Sequence, residues 1–211
     1  MKTDREDNFE EYTIQDEEEQ DNYLTLPQIW RALLKAMVMP SAGWKQLHNS
    51  QIKPENIVVG FLLPISLLAA ASDLFSLLYE MELRFTDLLV GMVITFFTYF
   101  LGYYIAVLIA RIFMPKADKG FPMTGYGRLL IIDCVAALAV IHIIYQALQI
   151  FDFMIEFFPL WTVYMLYKGM NYAKIDSNKA TFSLGVMCVA VISSPVLINW
   201  FFDLFTPDSV I

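Results

Sequence analysis

The chain has 211 residues, of which 57% are apolar and only 17% are charged, and its formal net charge is −8. This composition is typical of a polytopic membrane protein and argues against an ordinary soluble domain. An acidic chain without a basic face also argues against nucleic acid as a partner, because that affinity comes from Lys and Arg side chains that neutralise phosphates.

The chain begins with a strongly acidic segment, residues 1–22. Ten of the 22 acidic residues lie within the first 21 positions, and few apolar residues separate them. Such a segment cannot bury enough surface to offset the entropy of ordering. We therefore predict a disordered cytoplasmic tail, which serves either as a spacer or as a docking segment for a basic surface on a partner.

Two short amphipathic helices are predicted between residues 26 and 49. Pro27 is suited to the first turn of a helix, and Pro40 ends the first helix. Apolar residues cover one face, while Arg31 and Lys35 lie on another, and a second, shorter piece contains Trp44. The pattern fits a helix lying in the cytoplasmic membrane interface, and it also fits a helix packed on the cytoplasmic end of a helical bundle.

Five apolar stretches then follow, each near the length of about 20 residues that a membrane-spanning helix needs. The predicted spans are residues 57–79, 88–110, 129–150, 153–171 and 182–205. The predicted fold is therefore all-α, a polytopic bundle of five transmembrane helices over residues 57–205, preceded by the amphipathic helices.

Small residues recur every four positions along the second span, at Thr98, Gly102, Ala106 and Ala110. This interval places them on one face of the helix, and in lipid such a face lets a neighbouring backbone approach closely. We interpret this helix as the packing spine of the bundle. The same ladder is equally suited to a contact between two copies of the chain.

Basic residues are distributed unevenly between the two ends of the predicted spans. One side carries nine of them, and the other side carries Arg84 alone. The nine are Lys45, Lys53, Arg111, Lys116, Lys119, Arg128, Lys168, Lys174 and Lys179. Because Lys and Arg accumulate on the cytoplasmic side, we expect a cytoplasmic N-terminus and an extracytoplasmic C-terminus, in the inner membrane if the source is bacterial.

Polar residues interrupt the predicted spans at similar depth. Those in the outer half are Asp73, His142, Gln146, Glu156 and Asn199. Ionisable groups within a membrane are functional candidates, so this layer is interpreted as a water-filled vestibule, a proton-coupled site or a set of interhelical hydrogen bonds. Deeper on the cytoplasmic side, Asp133 lies within reach of Arg111 or Arg128, which predicts a structural ion pair.

Catalytic and cofactor-binding patterns are missing from the sequence. There is no nucleophile elbow, no zinc-binding histidine pair and no glycine-rich phosphate loop. Cys134 and Cys188 both fall in apolar runs, where a thiol behaves as a small hydrophobe, so neither a disulfide nor a metal site is expected. We expect no enzyme activity, no catalytic residues and no cofactor.

Several short motifs resemble those of the Yip domain family, small polytopic proteins named for their interaction with Ypt/Rab GTPases. The matching pieces are the first predicted span, which contains Pro64, and three short motifs. The motif residues are Pro40 and Trp44 in "MPSAGWKQL", Gly125 and Tyr126 in "MTGYGRLL", and Pro159, Trp161, Tyr164, Tyr167 and Gly169 in "FPLWTVYMLYKGM". The resemblance covers residues 28–205. The Asp-Leu-Tyr-Gly-Pro element of the eukaryotic members is absent, so the chain is more similar to the prokaryotic branch.

This resemblance implies a five-span protein of the cytoplasmic membrane with no catalytic residues to transfer. Together with the basic face, it predicts a membrane adaptor or organiser that binds a protein partner through its cytoplasmic side. The alternative is a small transporter, or a transporter subunit, that uses the outer polar layer.

Overall fold

The computed structural model describes residues 24–48, 54–79, 84–116, 118–148, 158–173, 175 and 179–205, and no strand occurs within those ranges. The acidic tail, Lys53, Lys174 and Glu156 therefore lie outside the described residues. The helices are α1 (Leu26–Val38), α2 (Pro40–His48), α3 (Val58–Tyr79), α4 (Phe85–Phe113), α5 (Gly125–Ala147), α6 (Phe158–Met170) and α7 (Ala180–Asp203).

Four of these helices, α3, α4, α5 and α7, are long and apolar enough to cross a bilayer. Their most apolar stretches have a mean hydropathy between 2.0 and 2.2. Each corresponds to one of the predicted spans, with ends that differ by a few residues. The chain is thus an all-helical integral membrane protein.

The remaining predicted span, residues 153–171, is represented by α6. This helix has 13 residues, which extend about 20 Å at about 1.5 Å per residue. That length is below what a bilayer requires, and residues 149–157 lie outside the described part of the chain.

Helix α3 is irregular for reasons visible in its sequence. It begins with a π-helical segment, Val58–Leu62, and the following α-helical segment opens around Pro64. Proline has no N–H to donate to the carbonyl of Gly60, four residues earlier. The indole nitrogen of Trp30 donates to that carbonyl instead, at 2.7 Å. The irregularity thereby attaches α1 to the first span.

The contacts between helices define two ends of the bundle. At one end, the Ser183 hydroxyl of α7 donates to Asp118, which lies between α4 and α5. At the other end, the Tyr79 hydroxyl donates to the carbonyl of Ala147. Helices α3, α5 and α7 run from the first end to the second, and α4 runs the opposite way. We call the first the hairpin end, because α1 and α2 pack there, and the second the distal end.

The central helix of the bundle is α5. All nine residues from Leu129 to Ala137 are buried, so this part of the helix is surrounded by protein on every side. A helix in that position is apolar all round rather than along one stripe. The helix that we interpreted as the packing spine, α4, buries a stripe that includes the small-residue ladder, and its other faces are partly or fully exposed.

The small-residue ladder of α4 packs within the chain. Thr98, Gly102, Ala106 and Ala110 are all buried. A Cβ placed on Gly102 would lie 3.6 Å from the Ser194 hydroxyl of α7. The face that was also suited to a contact between two copies is therefore covered by the last helix of the same chain.

Helices α1 and α2 form a tight hairpin that packs on the bundle. A Cβ placed on Gly43 would lie 2.3 Å from backbone atoms of Ala36, so the two helices approach more closely than any side chain permits. The carbonyl of Met37 accepts a hydrogen bond from the Trp161 indole of α6 at 2.8 Å. These contacts match the second of the two interpretations of the segment, a helix packed on the bundle.

Candidate functional site

Three polar side chains of the predicted outer layer meet near the distal end of the bundle. His142 Nε2 lies 2.8 Å from Asp73 Oδ1, and the amide nitrogen of Gln146 donates to the same oxygen at 3.2 Å. Asp73 is six residues from the end of α3, and His142 is five from the end of α5. At about 1.5 Å per residue the cluster is less than about 10 Å from the distal helix ends.

The local structure of α3 explains how Asp73 reaches α5. Asp73 opens a short 3-10 turn, Asp73–Phe75, that interrupts the α-helix. A 3-10 turn is wound more tightly than an α-helix, so it changes the direction in which the side chain leaves the backbone. His142 and Gln146 are one turn apart on α5 and therefore face Asp73 together.

Only one of the two Asp73 carboxylate oxygens has hydrogen-bond partners in the described structure. The Asp73 side chain is 9% exposed and that of His142 is 21% exposed. The second oxygen, Oδ2, is buried and has no hydrogen-bond partner in the described structure. Native proteins pair most buried polar atoms, so an unpaired carboxylate oxygen beside a histidine leaves room for one more donor, such as a proton, a water or a cation.

The site also contains a residue that the sequence analysis did not include in the polar layer. The ring of Tyr99, on α4, lies 5.7 Å from the His142 ring, and its side chain is buried. Tyr99 belongs to a long aromatic run in α4, where nothing in the sequence distinguishes a tyrosine that faces the polar cluster from one that faces lipid.

The rest of the predicted layer does not join this cluster. Asn199 of α7 accepts a hydrogen bond from the Thr98 hydroxyl of α4 at 2.5 Å. Glu156 lies outside the described residues. The layer therefore contains at least two separate contacts, one linking α3 to α5 and one linking α4 to α7.

The structure shows no hydrogen bond for the predicted ion pair of Asp133. Asp133 is fully buried, and neither of its carboxylate oxygens has a hydrogen-bond partner in the described structure. Arg111 is exposed at the end of α4. Asp133 lies within the fully buried stretch of α5, and its pairing with Arg111 or Arg128 stays a prediction.

Several of the motif residues that carry the family resemblance meet at the hairpin end. Trp44 is fully buried, and its ring centroid lies 5.9 Å from that of Tyr126. The Tyr126 hydroxyl donates to the carbonyl of Gly169 at 2.8 Å. A Cβ on Gly169 would lie 2.2 Å from a methyl group of Leu130, so a larger residue here would require the Leu130 side chain to move. Of the other motif residues, Pro40 and Gly125 are the first residues of α2 and α5, and Pro159 is the second residue of α6.

No group of three or more metal-ligating side chains occurs among the residues that the structure describes. The Asp73 cluster has one carboxylate, one imidazole and one amide, a set suited to holding a proton or a weakly bound cation. No protein-family model, no curated protein and no solved structure matches this chain.

Proposed function

We propose that this chain is a non-enzymatic membrane adaptor or organiser that resembles the Yip family and binds its partner through the hairpin end, which faces the cytoplasm. The observation that carries the proposal is the separation of charge between the two ends of the bundle. At the hairpin end, exposed basic side chains surround a folded helical hairpin. They include Arg31, Lys35, Lys45, Arg111, Lys116, Lys119 and Lys179.

The hairpin supports this function because it is held firmly in place. Trp30, Trp44 and Trp161 each join α1 or α2 to the spans, through indole hydrogen bonds or burial. Arg31 and Lys35 remain exposed on the outer side, next to exposed apolar residues such as Val38. A rigid surface with basic and apolar groups is suited to anionic lipid and to an acidic protein partner.

The proposal includes a fifth crossing of the membrane by residues 153–171. What supports it is the position of the described residues on either side. Tyr79 contacts Ala147 at the distal end, whereas Gly169 accepts its hydrogen bond from Tyr126 at the hairpin end. These contacts lie at opposite ends of the bundle, which supports a crossing between Ala147 and Gly169.

Crosslinking in the intact membrane tests the adaptor function. We expect the double variant Lys116→Gln/Lys119→Gln, and a chain without residues 1–22, to lose a crosslinked partner that the full chain captures. The matched control is Lys116→Arg/Lys119→Arg, which keeps the charge and should keep the partner. Identical crosslinking profiles for all four chains, compared by mass spectrometry, would exclude binding through this face.

A second candidate function is proton-linked transport, and the Asp73–His142 contact favours it. A carboxylate and an imidazole joined within a membrane-spanning bundle are the usual components of a proton relay. The unpartnered Oδ2 of Asp73 adds an acceptor that such a relay needs.

Flux measurements in proteoliposomes test the transport function. Asp73→Asn and His142→Ala should each abolish a pH-dependent flux that the unmodified chain supports. Thr98→Val removes the separate contact with Asn199 and should leave the flux unchanged. If the Asp73 and His142 variants transport as well as the unmodified chain, the cluster has only a structural role.

A further inference from the structure

A second buried carboxylate lies at the hairpin end, outside the polar layer. Asp118, between α4 and α5, is 6% exposed. One oxygen, Oδ2, accepts a hydrogen bond from the Ser183 hydroxyl of α7 at 2.8 Å. Within the described residues, Asp118 forms no ion pair. A buried carboxylate ordinarily has a cationic partner, because a single hydroxyl offsets little of the cost of removing the charge from water.

Asp118 lines an open cavity of about 310 Å³ together with aromatic rings. The other lining residues that matter here are His48, Phe121, Tyr126 and Tyr172. The described lining contains no lysine or arginine. The volume is at the lower end of the range of cavities that hold small molecules, about 300–1,000 Å³.

The rings are arranged as adjoining walls. The planes of His48 and Tyr126 meet at 87° with centroids 5.6 Å apart, and those of Phe121 and Tyr126 meet at 57°. Tyr172 continues the wall beside His48 at 5.7 Å. Its hydroxyl donates to the carbonyl of Ser41 at 3.3 Å, which holds the ring against α2.

The chain around the cavity is fixed by its own hydrogen bonds. The amide of Asp118 donates to the carbonyl of Pro115, and the amide of Phe121 donates to the carbonyl of Asp118. Thr124 caps α5 by accepting from the amide of Gly127. A Cβ on Gly127 would lie 2.0 Å from the Phe121 carbonyl oxygen, so the glycine permits the loop to fold against α5.

We propose that this cavity binds an organic ammonium group. Aromatic faces attract alkylammonium ions through their quadrupoles, and the Asp118 carboxylate in the lining supplies the opposite charge. The lining residues lie at the end of α2, after α6 and in the loop before α5. Because the ends of membrane-spanning helices meet lipid headgroups and solvent, the ammonium group belongs either to a lipid headgroup or to a soluble amine. The inference is independent of the proposed adaptor function, since it requires no protein partner.

Choline and its uncharged carbon isostere, 3,3-dimethylbutanol, distinguish a cation site from an apolar pocket. Calorimetric titration of the full chain in a maltoside detergent, at constant ionic strength, should show saturable binding of choline and none of the isostere. Equal binding of the two compounds, or no choline binding at millimolar concentration, would overturn the proposal. This comparison uses the unmodified chain and does not depend on any variant folding.

Two pairs of variants assign the binding to the cavity. Asp118→Asn keeps an oxygen for Ser183 but removes the charge, and should weaken choline binding about tenfold or more. Asp203→Asn, at the distal end, is the matched control and should bind normally. Tyr172→Leu should weaken binding, whereas Tyr172→Phe keeps the ring and should retain it. Unchanged binding in both Asp118→Asn and Tyr172→Leu would overturn the proposed location.

Native mass spectrometry then identifies the source of the ammonium group. Retention of phosphatidylethanolamine in preference to phosphatidylglycerol, lost in Asp118→Asn, supports the proposal with a lipid headgroup as the ligand. Choline binding without any lipid preference supports it with a soluble amine. Failure of the adaptor test leaves these results unaffected, and their failure leaves the adaptor test unaffected.

Discussion

Two buried aspartates in the spans have opposite surroundings. Asp73 receives contacts from His142 and Gln146, whereas both oxygens of Asp133 lack a hydrogen-bond partner in the described structure. A hydrogen bond to a charged group stabilises a fold by about 1.5–3 kcal/mol, and an unpartnered buried group destabilises it. We therefore expect the Asp73 carboxylate to stabilise the fold and the Asp133 carboxylate to destabilise it.

Alanine substitution at each aspartate measures this difference. Asp73→Ala removes two contacts and leaves His142 without its partner, so we expect the free energy of unfolding to fall by about 1–3 kcal/mol. Asp133→Ala removes a buried group that has no partner, and should change it by less than about 1 kcal/mol or raise it. Reversible unfolding in mixed micelles provides the measurement. A larger loss for Asp133→Ala would show that Asp133 binds something beyond the described residues.

At the scale of the helices, the glycines differ in how closely a neighbouring element approaches them. Gly43 lies against the backbone of Ala36, and no side-chain movement can make room for a Cβ there. Gly185, in contrast, has no atom of another element within 4 Å of the position that a Cβ would occupy. The first glycine is a packing requirement of the α1–α2 hairpin, and the second is not.

Gly43→Ala and Gly185→Ala form a matched pair that tests the hairpin. Gly43→Ala should destabilise the protein by about 1–3 kcal/mol, because backbone must move apart to relieve the overlap. Gly185→Ala should be neutral or slightly stabilising, because alanine favours the helix by up to about 1 kcal/mol. Thermal unfolding and protease sensitivity near residues 24–48 report both effects. Equal stability of the two variants would contradict the close packing of α1 on α2.

At the scale of the whole molecule, the two ends of the bundle differ in charge. Exposed basic residues cluster at the hairpin end, while the distal end carries Arg84, Asp87 and Asp203. In a bilayer, this asymmetry favours the orientation in which the hairpin end faces the cytoplasm. It also explains how a chain with net charge −8 can present a basic surface.

Cysteine accessibility tests both the orientation and the fifth crossing. In a chain whose Cys134 and Cys188 are replaced by alanine, a membrane-impermeant maleimide should label Asp203→Cys in intact cells. Lys119→Cys should be labelled only after lysis. Leu148→Cys and Asn171→Cys flank the proposed crossing, and should behave like Asp203→Cys and Lys119→Cys respectively. Labelling of both Leu148→Cys and Asn171→Cys from the same side would exclude a crossing between them.

The length and apolar character of four spans were predictable from the sequence because both are local properties. A run of about 20 apolar residues must satisfy its backbone internally in lipid, so it forms a helix whatever its neighbours are. The presence of two helices between residues 26 and 49 was predictable for a similar reason, since Pro40 cannot continue the first helix.

Which side chains meet was decided only by the tertiary structure. Successive residues on a helix point about 100° apart, so a small rotation of one helix changes every partner. Asp73 contacts His142, Asn199 contacts Thr98, and neither oxygen of Asp133 has a hydrogen-bond partner among the described residues. The central position of α5 in the bundle was also decided by the tertiary structure. Hydrophobicity places a helix within the membrane, but packing against several neighbours at once determines which helix is surrounded.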